Sequence, residues 1–438
     1  MRGLRNRVVF PLCQGEHRKS QILFIFDGIL INAAVTISTG FFLSGYLVTL
    51  NANDFVVGIL NSSPTWSLLI SIFSFLVYEK MEYRKPLLIT MNIISRLLKC
   101  SIAYLPFLVK NSSVLLHLTA LMIIVSNLIW GFYGVGVTVW MINLLPNDHT
   151  KSRYIYLRMF CLRISFTIFS LVMGFVLDYF NKSLKGFVIV FSVSLILSIA
   201  DAVVLMNAHE PKNKVHKAAR KFEMDWFLEP LKAKEYRHFL IFIFAFYFSL
   251  SLSSSFTSLY QIKYLELNYS LISVIYTVQY ITMIIGTQLW SRIESKKGIY
   301  FVLGVSALFL STEFLIYGFM TQRTLFLLLF TPLTAGIGNS GFNVVTVNYR
   351  YSLIPEDGYK TIYEGWYGAT MGLSSLLGPT VGSLIRNLIP SFTNSVFQYS
   401  GFQIVYLVSF ILASLAVYQK FFRTHSLSED FQMSSSSN

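Results

Sequence analysis

Residues Gly131–Tyr156 read GFYGVGVTVWMINLLPNDHTKSRYIY, and residues Gly336–Tyr363 read GIGNSGFNVVTVNYRYSLIPEDGYKTIY. Each stretch starts on spaced glycines, runs through an apolar segment and ends on an apolar-Pro-acid turn. A basic residue and an aromatic then lead into the next apolar run. Pro146 and Pro355 lie 209 residues apart in a chain of 438. Two more matches keep that register. The turn Leu50-Asn51 recurs as Leu267-Asn268, and Glu82-Tyr83-Arg84-Lys85 recurs as Glu294-Ser295-Lys296-Lys297. One echo would be weak, but several at similar offsets point to an internal duplication.

The duplicated unit is a membrane bundle. Only 13% of the residues are charged, against roughly 25% in soluble domains, and the mean hydropathy is +0.58. Apolar runs of about 20 residues recur along the chain, each long enough to cross a hydrocarbon core. They are continuous rather than alternating, which excludes β-barrel strands, and backbone groups in lipid must pair within the segment, which makes the runs helical. The spans fall at 21–50, 54–78, 86–109, 115–145, 154–180 and 186–207, then at 238–264, 269–291, 299–320, 323–349, 362–388 and 401–421. The expected fold is an all-α membrane protein of 12 transmembrane helices in two pseudo-symmetric six-helix bundles, residues 21–207 and 238–422. A cytoplasmic segment, residues 1–20, precedes them, a cytoplasmic loop, 208–237, joins them, and a disordered cytoplasmic tail, 423–438, follows.

Charge sets the expected orientation. With the amino terminus in the cytoplasm, 25 Lys and Arg lie on that side and about five on the other, the excess that the positive-inside rule requires. Both termini are then cytoplasmic, and the net charge of +14 is a topology signal rather than a nucleic-acid footprint. The basic start is followed by a long apolar run without a small-residue cleavage site, so it reads as the approach to span one and not as a removed leader. Cys13, Cys100 and Cys161 have neither disulfide nor metal spacing.

At this point the chain resembles the major facilitator superfamily of secondary transporters, over about Phe24 to Phe422. That family has two six-helix bundles, a cytoplasmic central loop and a basic loop between spans two and three with an echo between eight and nine. Glu79-Lys80-Met81-Glu82-Tyr83-Arg84-Lys85-Pro86 resembles a degenerate form of the family's Gly-x-x-x-Asp-Arg-x-Gly-Arg-Arg signature, without its glycines and aspartate. Arg153-Tyr154 through Gly174-Phe175-Val176-Leu177-Asp178, and Asn92–Phe107 with Arg96 inside it, resemble a poorly characterised bacterial branch. Drug-proton antiporters of the family carry Gly-Pro-x-x-Gly-Gly on span five. Here span five has only Gly174, and Gly378-Pro379-Thr380-Val381-Gly382 sits on span eleven. These glycines, with Gly131 and Gly134, serve close packing or bending of helices.

Ionisable groups in hydrocarbon are costly, so each needs a partner or a wet cavity. Asp27 in span one is either a cavity carboxylate that exchanges a proton or a fixed partner of Arg96 or a span-five arginine. Arg96 and Arg163 lie near mid-membrane and either pair permanently or receive an anionic substrate group. Lys99 shares a face with Arg96 or snorkels outward. Glu313, with no basic residue near it in sequence, suits proton coupling or an inert neutral side chain. Glu82, Arg84, Lys85, Arg158 and Glu364 are gate candidates. The resemblance implies that the loop between spans two and three meets span eleven, so Glu364 is expected near Arg84 or Lys85. Asn32, Trp140, Gln279, Asn339 and Asn343 complete the candidate lining, and each also suits plain packing. Amides and aromatics together suit a small organic solute with apolar and hydrogen-bonding parts.

No phosphate-cradling loop, no zinc-spaced histidines and no clustered histidines or paired carboxylates mark an enzyme, an ATP-driven pump, a metal site or a bound cofactor. The expectation is a secondary transporter in the plasma membrane that works by alternating access, monomeric, proton-coupled and directed towards efflux. Its partners are then the lipid bilayer, a small-molecule substrate and a coupling proton. The alternative is a receptor or assembly factor on the same fold.

Overall fold

A computed structural model describes residues 17–78, 81–145, 149–212, 224–355, 360–390, 392–394 and 396–422. The expected amino-terminal segment up to Glu16, with Cys13, and the expected tail from Arg423 lie outside the described residues. So do 213–223 of the central loop, Glu79 and Lys80, and the turn residues Asn147-Asp148 and Glu356-Asp357.

Among the described residues the regular structure is helical throughout, as continuous apolar runs require. The amino-terminal helices are α1 (Arg18–Thr36), α2 (Gly40–Thr49) and α3 (Asp54–Asn61), then the single turns α4 (Ser63–Trp66), α5 (Leu68–Ser71) and α6 (Phe75–Tyr78). Next come α7 (Lys85–Ser101), the turn α8 (Leu105–Leu108), α9 (Ser112–Asn143), α10 (His149–Tyr179) and α11 (Leu184–Met206). The rest are α12 (Met224–Lys232), α13 (Lys234–Leu259), α14 (Tyr269–Gly318), α15 (Thr331–Ser352), α16 (Lys360–Leu388) and α17 (Ser400–Val417). Among the described residues, eight helical stretches are long and apolar enough to cross a membrane. A ninth forms if the turn Gln322–Leu329 and α15, bent by 41°, count as one span.

Several spans are broken, each for a local reason. Span one is interrupted between Thr36 and Gly40. Thr36, Ser38 and Thr39 return their hydroxyls to carbonyls four residues back, which loosens a helix, and Gly40 turns the chain at φ +56°. Span two is cut into α3 to α6, where Ser62, Ser63 and Ser67 bond carbonyls three residues back around Pro64. Spans eight and nine run together as α14, which turns at Gly298 with φ +82°. The central stretch expected as loop carries α12.

The described chain forms two compact units. The first comprises residues 1–52, 70–222 and 268–270, and the second 53–69, 223–267 and 271–438. In the first, α1 packs on α10 and α11, and α7 on α9 and α11. In the second, α13 packs on α16, α17 and α3, and α16 on α3 and α4. The helices are apolar on the outside. On α11, Ile196, Ile199 and Val203 are all more than half exposed and share one face at helical spacing. The opposite face buries Ser194, Ser198 and Asp201. An apolar stripe outward and a polar one inward is what lipid around a bundle selects.

Candidate functional site

In the first unit the seam between α1 and α10 is made of side chains bonded to backbone. Tyr154 Oη donates to Gln21 O at 2.7 Å, Arg158 Nε to Phe24 O at 3.0 Å, and Ser165 Oγ to Ile29 O at 2.7 Å. Asn32 Nδ2 donates to Leu162 O at 2.7 Å. Asp27, 2% exposed, sits in this seam as the ion-pair partner of Arg158 Nη2 at 3.1 Å. A Cβ at Gly28 would lie 3.1 Å from Arg158 Nε, so a bare glycine lets the guanidinium lie flat on α1. Of the partners open to Asp27, Arg96 or a span-five arginine, the structure selects the span-five Arg158, which was also a gate candidate.

The expectation that carboxylates are not paired is corrected. Asp201 of α11 is fully buried and lies within hydrogen-bonding reach of Asp27. Its Oδ2 accepts from Asn92 Nδ2 at 2.7 Å. The Oδ1 atoms of both aspartates are buried without a donor. The two residues are 174 positions apart, so only packing of α1 on α11 joins them. Beside them Arg96, 3% exposed, stacks 3.6 Å above the Trp130 ring, with Nε and Nη2 unpartnered. Lys99 does not snorkel. It is fully buried, with Nζ donating to Asn127 Oδ1 at 2.8 Å. Tyr133 of α9 is in electrostatic reach of Asp27, Asp201, Arg96 and Arg158.

Other candidates hold backbone or pack. Trp140 donates Nε1 to His209 O at 2.9 Å and meets Phe24 edge-on. Arg84, 3% exposed, donates Nε to Tyr78 O, and the backbone N–H groups of Arg84 and Lys85 both bond the Glu210 carboxylate. Lys85 Nζ caps Ala208 O at 2.8 Å. Arg84, Trp140, Asn143, Glu210 and Pro211 line a small pocket of about 10 Å³. Glu82 is exposed and pairs with Lys212 at 3.1 Å, and this carboxylate raises the lysine above its ordinary pKa. Arg163 is half-buried on α10; Gly131 and Gly174 are buried.

In the second unit Glu364 forms an ion pair with Arg350 at 2.9 Å, and the Arg350 guanidinium stacks 3.9 Å over Tyr367. Glu313 lies in electrostatic reach of Tyr276, Tyr317 and Tyr406. Tyr317 accepts from Gln261 Nε2 at 2.6 Å and stacks on Tyr406. Asn339 folds back to Ala335 O at 2.9 Å, Asn343 is exposed and Gln279 is half-buried. At Gly378 and Gly382, α16 touches the backbone of α13, and Pro379 lies inside α16.

Sequence reasoning missed one constellation. Asp54, 6% exposed, binds Lys263 Nζ and Arg386 Nη2, each at 2.7 Å, and accepts from the Tyr264 hydroxyl. It joins the first turn of α3 to the ends of the α13 and α16 segments. Asp54 stands at the head of span two, and an acid opening an apolar run is itself a signal. Asp178, in the first unit, accepts from the backbone N–H groups of Tyr269 and Ser270, both at 2.9 Å. It thus caps α14 from outside its own helix.

The comparisons with known proteins agree with this architecture. The Major Facilitator Superfamily profile matches residues 25–379. No curated protein matches the sequence at a significant level. Among solved structures, a bacterial homologue of the iron transporter ferroportin in an inward-facing state aligns at TM-score 0.67 and 16% identity, covering 93% of this chain and 99% of its own. The nucleoside transporter NupG, in a mutant form, aligns at 0.65 and 15%, covering 92% and 98%. A D-xylose-proton symporter aligns at 0.65 and 13%, covering 92% and 97%. At such identities the likeness is one of fold, but the profile spans most of the sequence: the chain belongs to the major facilitator superfamily of membrane transporters.

Proposed function

We propose that this transporter moves a small organic solute across the cytoplasmic membrane by alternating access, coupled to protons and in the direction of efflux, with both termini in the cytoplasm. The observation that carries the reading is the set of buried Asp27, Asp201 and Arg96 with the half-buried Arg158, within otherwise apolar helices. Charges in hydrocarbon are costly and persist where they move ions or solutes. Buried carboxylates are able to carry a proton, which favours a proton gradient as the energy source. The half-buried amides and aromatics of α13 to α15 favour a solute with both apolar and hydrogen-bonding parts. The two halves then expose one midplane site alternately to each side.

The test uses inside-out membrane vesicles, in which efflux reads as uptake. A pH gradient is imposed and a broad panel of labelled organic solutes is offered. Accumulation that collapses with a protonophore supports the proposal. The absence of gradient-dependent flux across the panel counts against it.

A further inference from the structure

Two carboxyl groups in contact need a proton between them, since two bare carboxylates at hydrogen-bond distance repel strongly. Asp27 and Asp201 are in that position. Each has one oxygen held by a donor: Arg158 Nη2 on Asp27 Oδ2 at 3.1 Å, and Asn92 Nδ2 on Asp201 Oδ2 at 2.7 Å. Each keeps its other oxygen, Oδ1, buried and without a protein donor. The side chains are 2% and 0% exposed, so bulk water does not fill the gap.

The charged and titratable groups around the pair come from every helix packed on it. Arg158 belongs to α10, Arg96 to α7 and Tyr133 to α9. Lys99 and Cys100 lie further along α7, in reach of Arg96. Among them Arg96 has spare bonding capacity. It rests on the face of Trp130, in reach of Asp201, with Nε and Nη2 unused. Buried guanidinium N–H groups without acceptors are expensive, and Asp201, in electrostatic reach of Arg96, has one oxygen without a donor.

We propose that Asp27 and Asp201 hold one coupling proton between them, and that Arg96 swings from Trp130 onto Asp201 when that proton leaves. The assignment rests on the proton-coupled reading above and adds the site and its counter-charge. The balance is simple. Loss of the proton leaves the pair with two negative charges and releases H⁺ to water on the open side. Arg158 already neutralises one charge, and Arg96 neutralises the other. Reprotonation from the opposite side frees Arg96 to return to the ring. Because α1, α7, α10 and α11 all contribute, each protonation step re-sorts four helices of one bundle.

The test needs no solute, because the probe is the proton itself. Infrared difference spectra of the purified full chain, taken across a pH titration in H₂O and D₂O, report protonated buried carboxyls. Wild type is expected to show a carboxyl signal that disappears in both D27N and D201N and persists in E313Q. Tryptophan emission should change over the same pH range. That change should vanish in D27N and D201N, where Arg96 has no charge to follow, and in W130F, where no indole beside Arg96 reports the movement. If D27N fails to fold after losing its Arg158 partner, D201N and W130F carry the test. A carboxyl signal that survives in D201N, or emission that changes alike in D201N and wild type, overturns the assignment. If the shared signal is present but wild-type vesicles show no gradient-driven flux, the functional reading fails while the proton site stands. If flux is gradient-driven in both wild type and D201N, the site fails while the reading stands.

Discussion

Asp54→Asn should release α3 from α13 and α16. In the structure the Asp54 carboxylate gathers Lys263 Nζ and Arg386 Nη2, each at 2.7 Å, together with the Tyr264 hydroxyl. Arg386 also reaches Tyr264 Oη at 3.1 Å and lies 4.2 Å over Phe402, so the cation is held from two more sides. Asparagine keeps the size and one acceptor oxygen but removes the charge that holds two cations together. Charge-assisted bonds contribute roughly 1.5–3 kcal/mol each in a shielded setting. Lys263 is 41% exposed and Arg386 27%, so solvent screening reduces the loss to about 2 kcal/mol in all, roughly a 30-fold change in an equilibrium. The equilibrium displaced is the opening of α3 away from α13 and α16 within the second unit. Spin labels at the exposed positions Phe55 and Asn387 would report the separation by pulsed dipolar spectroscopy. The expected outcome is a longer-distance population that grows by more than tenfold in D54N. Superimposable distance distributions in wild type and D54N would refute the reasoning, because the charge would then set nothing.

Three further outcomes follow from local geometry. Gly382→Ala would place a Cβ 2.1 Å from Leu252 O, and backbone cannot yield as a side chain can. Overpacking of this kind costs about 1–3 kcal/mol, seen as a lower melting temperature in detergent, whereas Gly134→Ala, with nothing within 4 Å, should melt no lower than wild type. Tyr46→Phe strips the 2.6 Å bond to Ile102 O in a fully buried site and should cost about 1–2 kcal/mol by the same melting assay. Lys212→Ala should leave the melting temperature unchanged at physiological salt, since its pair with Glu82 is exposed on both sides.

Spans could be read from the sequence because hydropathy is local. A run such as 186–207 announces its helix whatever it packs on, and α11 follows it closely. Breaks in spans were harder. Serines at 62, 63 and 67 favour either a continuous helix or back-bonded turns, and the turns of span two win at Pro64. Site chemistry was legible residue by residue but not in its pairings. Asp27 stood out as an acid in an apolar run, yet its choice of Arg158 over Arg96 depends on which face of α1 meets α10. Asp201 was equally visible, but its meeting with Asp27 depends on the register of α1 against α11. Asp54 was hidden for another reason: an acid beside Asn51 and Asn53 looks like solvent-facing turn chemistry until α13 and α16 bring two cations to it.

The role given to Glu364 shows the same dependence on packing. The sequence paired it with Arg84 or Lys85 through the family pattern. In the structure Arg350, one helix back, supplies its cation at 2.9 Å, while the Arg84 and Lys85 side chains donate to the backbone carbonyls of Tyr78 and Ala208. An ion pair within one unit holds the start of α16 to the end of α15, and a gate role for Glu364 then requires that pair to open.

Proton movement tied to solute movement is the central claim, and proteoliposomes loaded with a trapped pH dye measure it directly. The purified chain is reconstituted, small organic solutes are added singly, and internal pH is followed alongside solute flux. The account predicts a solute-dependent proton flux in wild type that is lost in D201N. Solute flux with no accompanying proton movement in wild type would contradict it.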